Sequence, residues 1–149
     1  MEVMEPPPQI QPQSLGDYLE VLTKIVFQAG LSWRAVETKW LGFQQAFAGF
    51  DPQAVASLSP VDVDRLAQDT RIIRNRRKID ATIENAETLL ELHRGHGTFQ
   101  QYLNSHADVD EQARDLAKRF KFLSPAGAKY FLYVVGESDA SGCPYGDAR

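Results

Sequence analysis

The sequence has little cysteine and no long apolar run. Its single cysteine, Cys143, rules out an intrachain disulfide, which fits a reducing compartment. No stretch approaches the roughly 20 apolar residues that a membrane-spanning helix needs. Residues 1–13 carry acidic side chains and prolines where a signal peptide has a basic region and an apolar stretch. We therefore expect a cytoplasmic protein that has no membrane partner.

An excess of positive charge is also missing. The formal net charge is −4, whereas domains that bind nucleic acid usually carry a basic excess. The distribution matters more than the sum, because five of the 16 basic residues fall within residues 71–78. Four more are Lys118, Arg119, Lys121 and Lys129. A locally basic face is therefore compatible with the acidic total.

Proline and composition indicate the limits of one domain. Prolines, which block helices and sheet ladders, are concentrated near the start of the chain. We expect a proline-rich disordered leader over residues 1–13, a helical domain over 14–136 and an irregular, polar tail over 137–149. With 149 residues and 43% hydrophobic composition, the chain is large enough to bury a full core.

Apolar residues recur at helical spacing through this domain, and no segment alternates as a strand would. One such face belongs to a predicted helix and consists of Val36, Trp40, Phe43 and Phe47. Residues that predict helix starts are Ser14, Ser32, Asp51 and Ser59. A long helix is expected over about residues 75–94. The pattern predicts an all-α domain of about seven or eight helices with short loops.

Three stretches carry a family resemblance. They read FQAGLSW at residues 27–33, AFAGFDP at 46–52 with IIRNRRKI at 72–79, and RFKFLSP at 119–125. In order and spacing they resemble the DNA-3-methyladenine glycosylase I family, within the helix-hairpin-helix DNA glycosylase superfamily. The resemblance implies a helix-hairpin-helix bundle. It also implies a base-excision-repair enzyme that flips an alkylated purine out of duplex DNA and hydrolyses its N-glycosidic bond.

The first stretch would supply the wedge and part of the base pocket. The resemblance implies that Gly30 and Leu31 form a turn that enters the DNA, and that Trp33 stacks on the flipped base. Tyr18 and Ile25 lie on the preceding predicted helix and are further candidates for the pocket. The alternative is that Leu31 and Trp33 are core residues at a helix junction and that Tyr18 packs in the core.

The other two stretches would contact the DNA backbone. A hairpin at a helix N-terminus presents backbone N–H groups to a phosphate, and basic side chains add affinity. The candidate residues are Lys121, Leu123, Ser124, Pro125, Ala126, Gly127, Lys129, Arg74, Arg76 and Arg77. Arg71 and Lys78 belong to the same basic cluster. The alternatives are a plain connection between two helices and salt bridges to the acidic surface.

The sequence departs from the family pattern at two sites. The family places a glutamate that recognises alkylated adenine where this chain has Ile25. Its zinc ligands would come from an N-terminal segment that the proline-rich leader replaces and from a histidine and a cysteine after the last helix. Cys143 alone matches, and a structural zinc needs about four ligands, so we predict no metal and no cofactor.

The resemblance to the wider superfamily implies a catalytic carboxylate just after the hairpin's second helix. Asp139 lies in that region, offset by about a residue from the superfamily match, and Glu137 is a second candidate. A carboxylate there would stabilise the positive charge that develops on the sugar. The alternative is that Asp139 is a solvated residue of the tail.

Two functions follow from these residues, with damaged double-stranded DNA as the partner and a monomer as the expected state. One is an N-glycosylase acting on alkylated purines. The other is a non-catalytic module that binds DNA lesions or serves as a scaffold, having kept the fold and lost the recognition glutamate. A third possibility is an enzyme that acts on another small substrate, but no residue of the sequence indicates one.

Overall fold

The computed structural model describes residues 9–138, and the regular structure in this range is entirely helical. The helices are α1 Leu15–Gln28, α2 Trp33–Thr38, α3 Trp40–Ala46, a 3-10 helix Ala48–Phe50, α4 Pro52–Ala56, α5 Pro60–Leu66, α6 Arg76–Gly95, α7 Phe99–Asn104, α8 Val109–Arg119 and α9 Pro125–Val134. The predicted all-α class is confirmed. No helix of the described range combines the length and apolar character needed to cross a membrane.

The described range contains more helices than the seven or eight expected. One reason is that the predicted helix after Ser32 is broken at Lys39. The backbone of Lys39 leaves helical geometry there, which separates α2 from α3. The apolar face survives the break, since Val36, Trp40, Phe43 and Phe47 are all buried. Gly42 of α3 packs directly on the loop before α6, because a Cβ atom at position 42 would clash with the Arg71 carbonyl oxygen.

Capping residues begin most of the helices, as the sequence predicts. The side chains of Ser32, Asp51 and Ser59 each accept a hydrogen bond from a backbone N–H of the helix that follows. Ser14 occupies the expected N-cap of α1 without such a bond. There the Asp17 carboxylate instead accepts from the Gln13 N–H at 2.8 Å.

The long helix α6 forms the centre of the bundle. It packs against α1, α4, α5 and α7, while α9 packs against α8 and α1. Its buried apolar side chains include Ile79, Ala86 and Leu89. The helix therefore contacts both the first helices and, through Asn85, the connection before α9.

Residues 9–13 have no regular structure and lie beside the end of α9. The Ile10 N–H donates to the Val134 carbonyl at 2.8 Å, and the Gln9 side-chain amide donates to the Tyr133 carbonyl at 2.9 Å. The boundaries expected at residues 13 and 136 stay predictions.

Candidate nucleic-acid interface

The turn between α1 and α2 presents an apolar tip to solvent. Gly30 adopts a left-handed conformation, with φ of 78°, that a side chain would disfavour. The Leu31 N–H donates to the Gln28 carbonyl at 2.9 Å, which closes the turn. The Leu31 side chain is 44% exposed, and Ser32 then caps α2 by accepting from the Ala35 N–H at 3.2 Å. The geometry is that of a rigid turn with a projecting leucine.

A buried lysine holds this turn from inside the protein. The Lys78 Nζ atom donates to the carbonyl oxygens of Phe27, at 3.1 Å, and Ala29. Both carbonyls stand at the C-terminal end of α1, where the last turn leaves such groups without helical partners. Lys78 is 5% exposed, and burial lowers the pKa of its ammonium group. Lys78 is therefore separate from the surface cations of residues 71–77.

The connection between α8 and α9 forms the second loop of the interface. Ser124 caps α9 by accepting a hydrogen bond from the Gly127 N–H at 3.0 Å. Its φ is −77°, a conformation that serine adopts without strain, so Ser124 is not the left-handed residue of this connection. The positive φ of this hairpin falls on Phe122 instead, at 56°, and the Phe122 ring is 40% exposed. The Arg77 guanidinium lies 5.9 Å from the centre of that ring.

A cavity of about 490 Å³ lies where α1 meets this hairpin. Its lining residues from α1 and the turn are Ile25, Gln28 and Ala29. Those from the hairpin and α9 are Phe122, Leu123, Ser124, Ala126, Gly127 and Tyr130. The structure thus brings one predicted pocket residue, Ile25, together with four residues of the predicted phosphate-binding hairpin.

Two residues expected in the base pocket do not line this cavity. Trp33 is not among the cavity's lining residues; it stands 43% exposed, with the Arg34 guanidinium 5.6 Å from the centre of its ring. Tyr18 is buried against Phe99, with 4.8 Å between ring centres, and donates to the Gln100 side chain at 3.2 Å. The role of Trp33 in base binding stays a prediction, as does that of Tyr18.

Sequence reasoning missed four lining residues: Gln28, Ala29, Phe122 and Tyr130. Helical spacing carried a signal for two of them. Gln28 follows Ile25 by three residues on α1, and Tyr130 follows Gly127 by three on α9, and residues three apart share a helix face. Phe122 gave no comparable local signal, since its orientation depends on an unusual backbone angle.

The predicted DNA-contacting cations differ in their partners. Arg76 pairs with Asp64 at 2.6 Å and Lys129 with Asp110 at 3.2 Å, both at exposed positions. Such surface pairs contribute little, about 0–1 kcal/mol, so a phosphate can compete for either cation. Arg74 and Lys121 have no ion pair with another residue of the described range. Pro125 occupies the first turn of α9.

Acidic groups are scarce around the cavity. Among residues 9–138, no aspartate or glutamate lines it. Glu137 accepts a hydrogen bond from the Gln100 side chain at 2.9 Å and belongs to the cluster around Tyr18. The expected catalytic Asp139 and the cysteine at position 143 lie outside the described residues.

Residues 9–138 contain no group of three or more histidine, cysteine, aspartate or glutamate side chains able to hold a metal ion. The described residues therefore do not fit the zinc site that the family resemblance implies.

Comparison with known proteins decides the family. The model of the methyladenine glycosylase family matches residues 13–128. The chain belongs to the methyladenine glycosylase family. The matched segment runs from the start of α1 to the first turn of α9. In this methyladenine glycosylase family member it therefore includes both loops and every lining residue of the cavity except Tyr130.

Two individual relatives support this family assignment. A DNA-3-methyladenine glycosylase of Haemophilus influenzae is 31% identical over 120 residues, covering 74% of this chain and 65% of that protein. DNA-3-methyladenine glycosylase 1 of Escherichia coli is 40% identical over 85 residues, covering 57% and 46%. The chain thus spans less than two thirds of the length of either relative.

A solved structure extends the match to the fold. The 3-methyladenine DNA glycosylase I of Staphylococcus aureus, studied for its recognition of 3-methyladenine, superposes with a TM-score of 0.76 and 26% identity. The match covers 98% of this chain and 88% of that protein. The predicted glycosylase-like helical bundle is confirmed.

Proposed function

We propose that this protein is a DNA N-glycosylase that removes alkylated purines from double-stranded DNA after flipping the damaged base. The observation that carries the proposal is the cavity of about 490 Å³ between α1 and the hairpin. It lies beside a turn with an exposed leucine and beside the capped start of α9. A wedge, a space for one base and a phosphate contact are the three elements that base flipping requires.

The roles follow from position. Leu31 fills the gap left in the duplex, and the backbone N–H groups at the start of α9 contact a phosphate next to the flipped nucleotide. Phe122 and Tyr130 give the cavity aromatic surface, on which a cationic base can stack. Gln28 places an amide at the cavity wall.

The chemistry suits a cavity with few acidic groups. Alkylation at a ring nitrogen puts positive charge on the purine and makes the base a good leaving group. Water adds to C1′ of the deoxyribose and the N-glycosidic bond breaks. The electron pair of that bond leaves with the base and neutralises it, and the water loses one proton to solvent. Selective capture of the damaged base then matters more than acid catalysis. A chain with Ile25 in place of the glutamate can therefore still release such a base.

A second candidate is a module that binds damaged DNA without cutting it. The observation that favours it is the apolar side chain at position 25, together with a cavity wall that has no carboxylate among the described residues. Under either candidate the partner is duplex DNA containing a damaged base. We further propose that the protein acts as a cytoplasmic monomer.

The test is release of bases from methylated duplex DNA, read by chromatography of the free base and by abasic-site cleavage. Ala126 is exposed and lines the cavity, so Ala126→Phe fills the cavity with little effect on folding. Ala107→Phe is the matched control, because Ala107 is an exposed alanine away from the cavity. Release by the parent and the control, but not by Ala126→Phe, supports the enzyme. If the parent protein binds the DNA but releases no base, the module is supported. If the parent neither binds the DNA nor releases a base, both DNA functions are rejected.

A further inference from the structure

One face of α6 reaches both loops of the interface. Lys78, near the start of the helix, donates through Nζ to the carbonyl oxygens of Phe27 and Ala29. These atoms belong to the last turn of α1 and to the residue before Gly30. A cation at a helix C-terminus is favourable, because that end carries partial negative charge. The contact fixes the backbone immediately before the leucine-tipped turn.

Asn85 makes the corresponding contact with the hairpin. Its Oδ1 atom accepts from the Lys121 N–H at 2.8 Å, and its Nδ2 atom donates to the Lys121 carbonyl at 3.2 Å. The side chain is buried, with 1% of its surface exposed. Two bonds to one residue hold the backbone in position and orientation, directly before Phe122 takes its positive φ.

The two contacts stand in a fixed geometric relation. Lys78 and Asn85 are seven residues apart, which is two helical turns and about 10 Å along α6. Thr82 lies between them, fully buried, and its hydroxyl donates to the Lys78 carbonyl at 2.8 Å. All three side chains face inward, and neighbouring apolar residues anchor α6 in the core. The helix is therefore a rigid spacer between the two loops.

We propose that Lys78 and Asn85 are positioning residues, which set the distance between the Gly30–Leu31 turn and the hairpin so that wedge, base and phosphate are engaged together. This inference rests on the proposed function. Apolar side chains would pack in the same space, but they make no directional bonds to backbone atoms. A misplacement of about 1 Å is enough to reduce catalysis by about 100-fold, so a fixed spacer has a kinetic consequence beyond stability.

Two variants remove the contacts one at a time, and a third is the matched control. Lys78→Met and Asn85→Leu each release one loop, whereas Thr82→Val alters the same buried face without touching either loop. Denaturation curves define conditions under which every variant is folded. If Lys78→Met does not fold, Lys78→Gln takes its place. Lys78→Arg is the conservative variant, because its guanidinium can donate to the same carbonyl oxygens.

Single-turnover release of base from saturated complexes is the first readout. We expect Lys78→Met and Asn85→Leu to be slower than the parent by about tenfold or more, with Thr82→Val within about twofold and Lys78→Arg partly restored. The double variant should lose little more than either single variant, since one released loop already breaks the spacing. Rates equal to that of Thr82→Val, or losses that multiply in the double variant, overturn the inference.

A second readout does not depend on activity. Spin labels on cysteines at Leu31 and Lys121, in a chain whose natural cysteine is replaced by serine (Cys143→Ser), report the distance between the two loops. We expect one narrow distance distribution in the parent and in Thr82→Val, and broader ones in Lys78→Met and Asn85→Leu. Unchanged distributions overturn the positioning role. A parent that releases no base counts against the proposed function instead, and the label distances still decide the inference.

Discussion

Gly127 of α9 lies directly against Ile25 of α1. A Cβ atom at position 127 would stand 3.3 Å from the Ile25 Cγ2 atom and equally close to the Leu123 side chain. The first and last helices thus meet at one wall of the cavity, and that wall is apolar. Under the proposed function, the side chain at position 25 would face the flipped base across this wall.

Replacing Ile25 by the family's glutamate should shift base preference at a cost in stability. Ile25 is buried, so Ile25→Glu places a polar group where burial is unfavourable, and we expect unfolding to become easier by about 1–3 kcal/mol. The carboxyl can hydrogen-bond an alkylated adenine, so 3-methyladenine should rise relative to other released bases. Chromatography of bases released from methylated DNA measures this, with Ile25→Leu as the apolar control. A folded Ile25→Glu with the parent's base preference would contradict the assignment.

Truncating the projecting leucine should reduce excision without affecting folding. Leu31 is 44% exposed, and surface substitutions usually change stability by less than about 0.5 kcal/mol. We expect Leu31→Ala to slow base release from duplex DNA several-fold, and from single-stranded DNA much less, because only the duplex needs a wedge. Leu41→Ala is the control, since Leu41 is 68% exposed on α3. Equal losses on both kinds of DNA would argue against a wedge.

Removing an unpaired cation should lower the salt dependence of DNA binding. Each phosphate contact contributes about one unit to the slope of log affinity against log salt concentration. We expect Arg74→Gln to reduce that slope by about one unit, and Arg76→Gln to reduce it less, because Arg76 is already paired with Asp64. Titrations of labelled duplex at several salt concentrations give the slopes. Arg94→Gln is the comparison, because Arg94 is exposed in the last turn of α6, at the opposite end of that helix from Arg76. A slope change there as large as that of Arg74→Gln would remove Arg74 from the interface.

A half-buried carboxylate outside the cavity, that of Asp115, should make stability sensitive to acid. Burial raises the pKa of Asp115, but hydrogen bonds from Tyr102, Arg119 and His106 outweigh it and hold the pKa at about 2. A pKa below the unfolded value of 3.8 means stability that is complete above about pH 5 and is lost as the pH falls towards 2.

We expect this loss to be about 1 kcal/mol, because partial solvent exposure of the group screens its interactions. Urea unfolding of the parent and of Asp115→Asn between pH 5 and pH 2 measures it. The variant should start less stable and change less over that interval. Parallel pH curves for the two proteins would show that Asp115 is not the group responsible.

Several features of this protein were determined by local sequence alone. Helical faces such as the one ending at Phe47, the caps Asp51 and Ser59, and the left-handed Gly30 depend on groups within a few residues of one another. Hydrogen bonds at helix ends and the 3.6-residue period act over that range. The three motif stretches likewise sufficed for the fold, the family and the turn that carries Leu31.

Only the tertiary structure decided which of these residues share a site. Lys78 belongs by sequence to a cluster of surface cations, yet it contacts carbonyls about 50 residues earlier in the chain. Trp33 lies outside the cavity, whereas Phe122 and Tyr130 line it. Which residues are buried, and which distant segments touch, depends on how whole helices pack across one another. That packing is set by many side chains that are far apart in the sequence, so a local sequence pattern does not predict it.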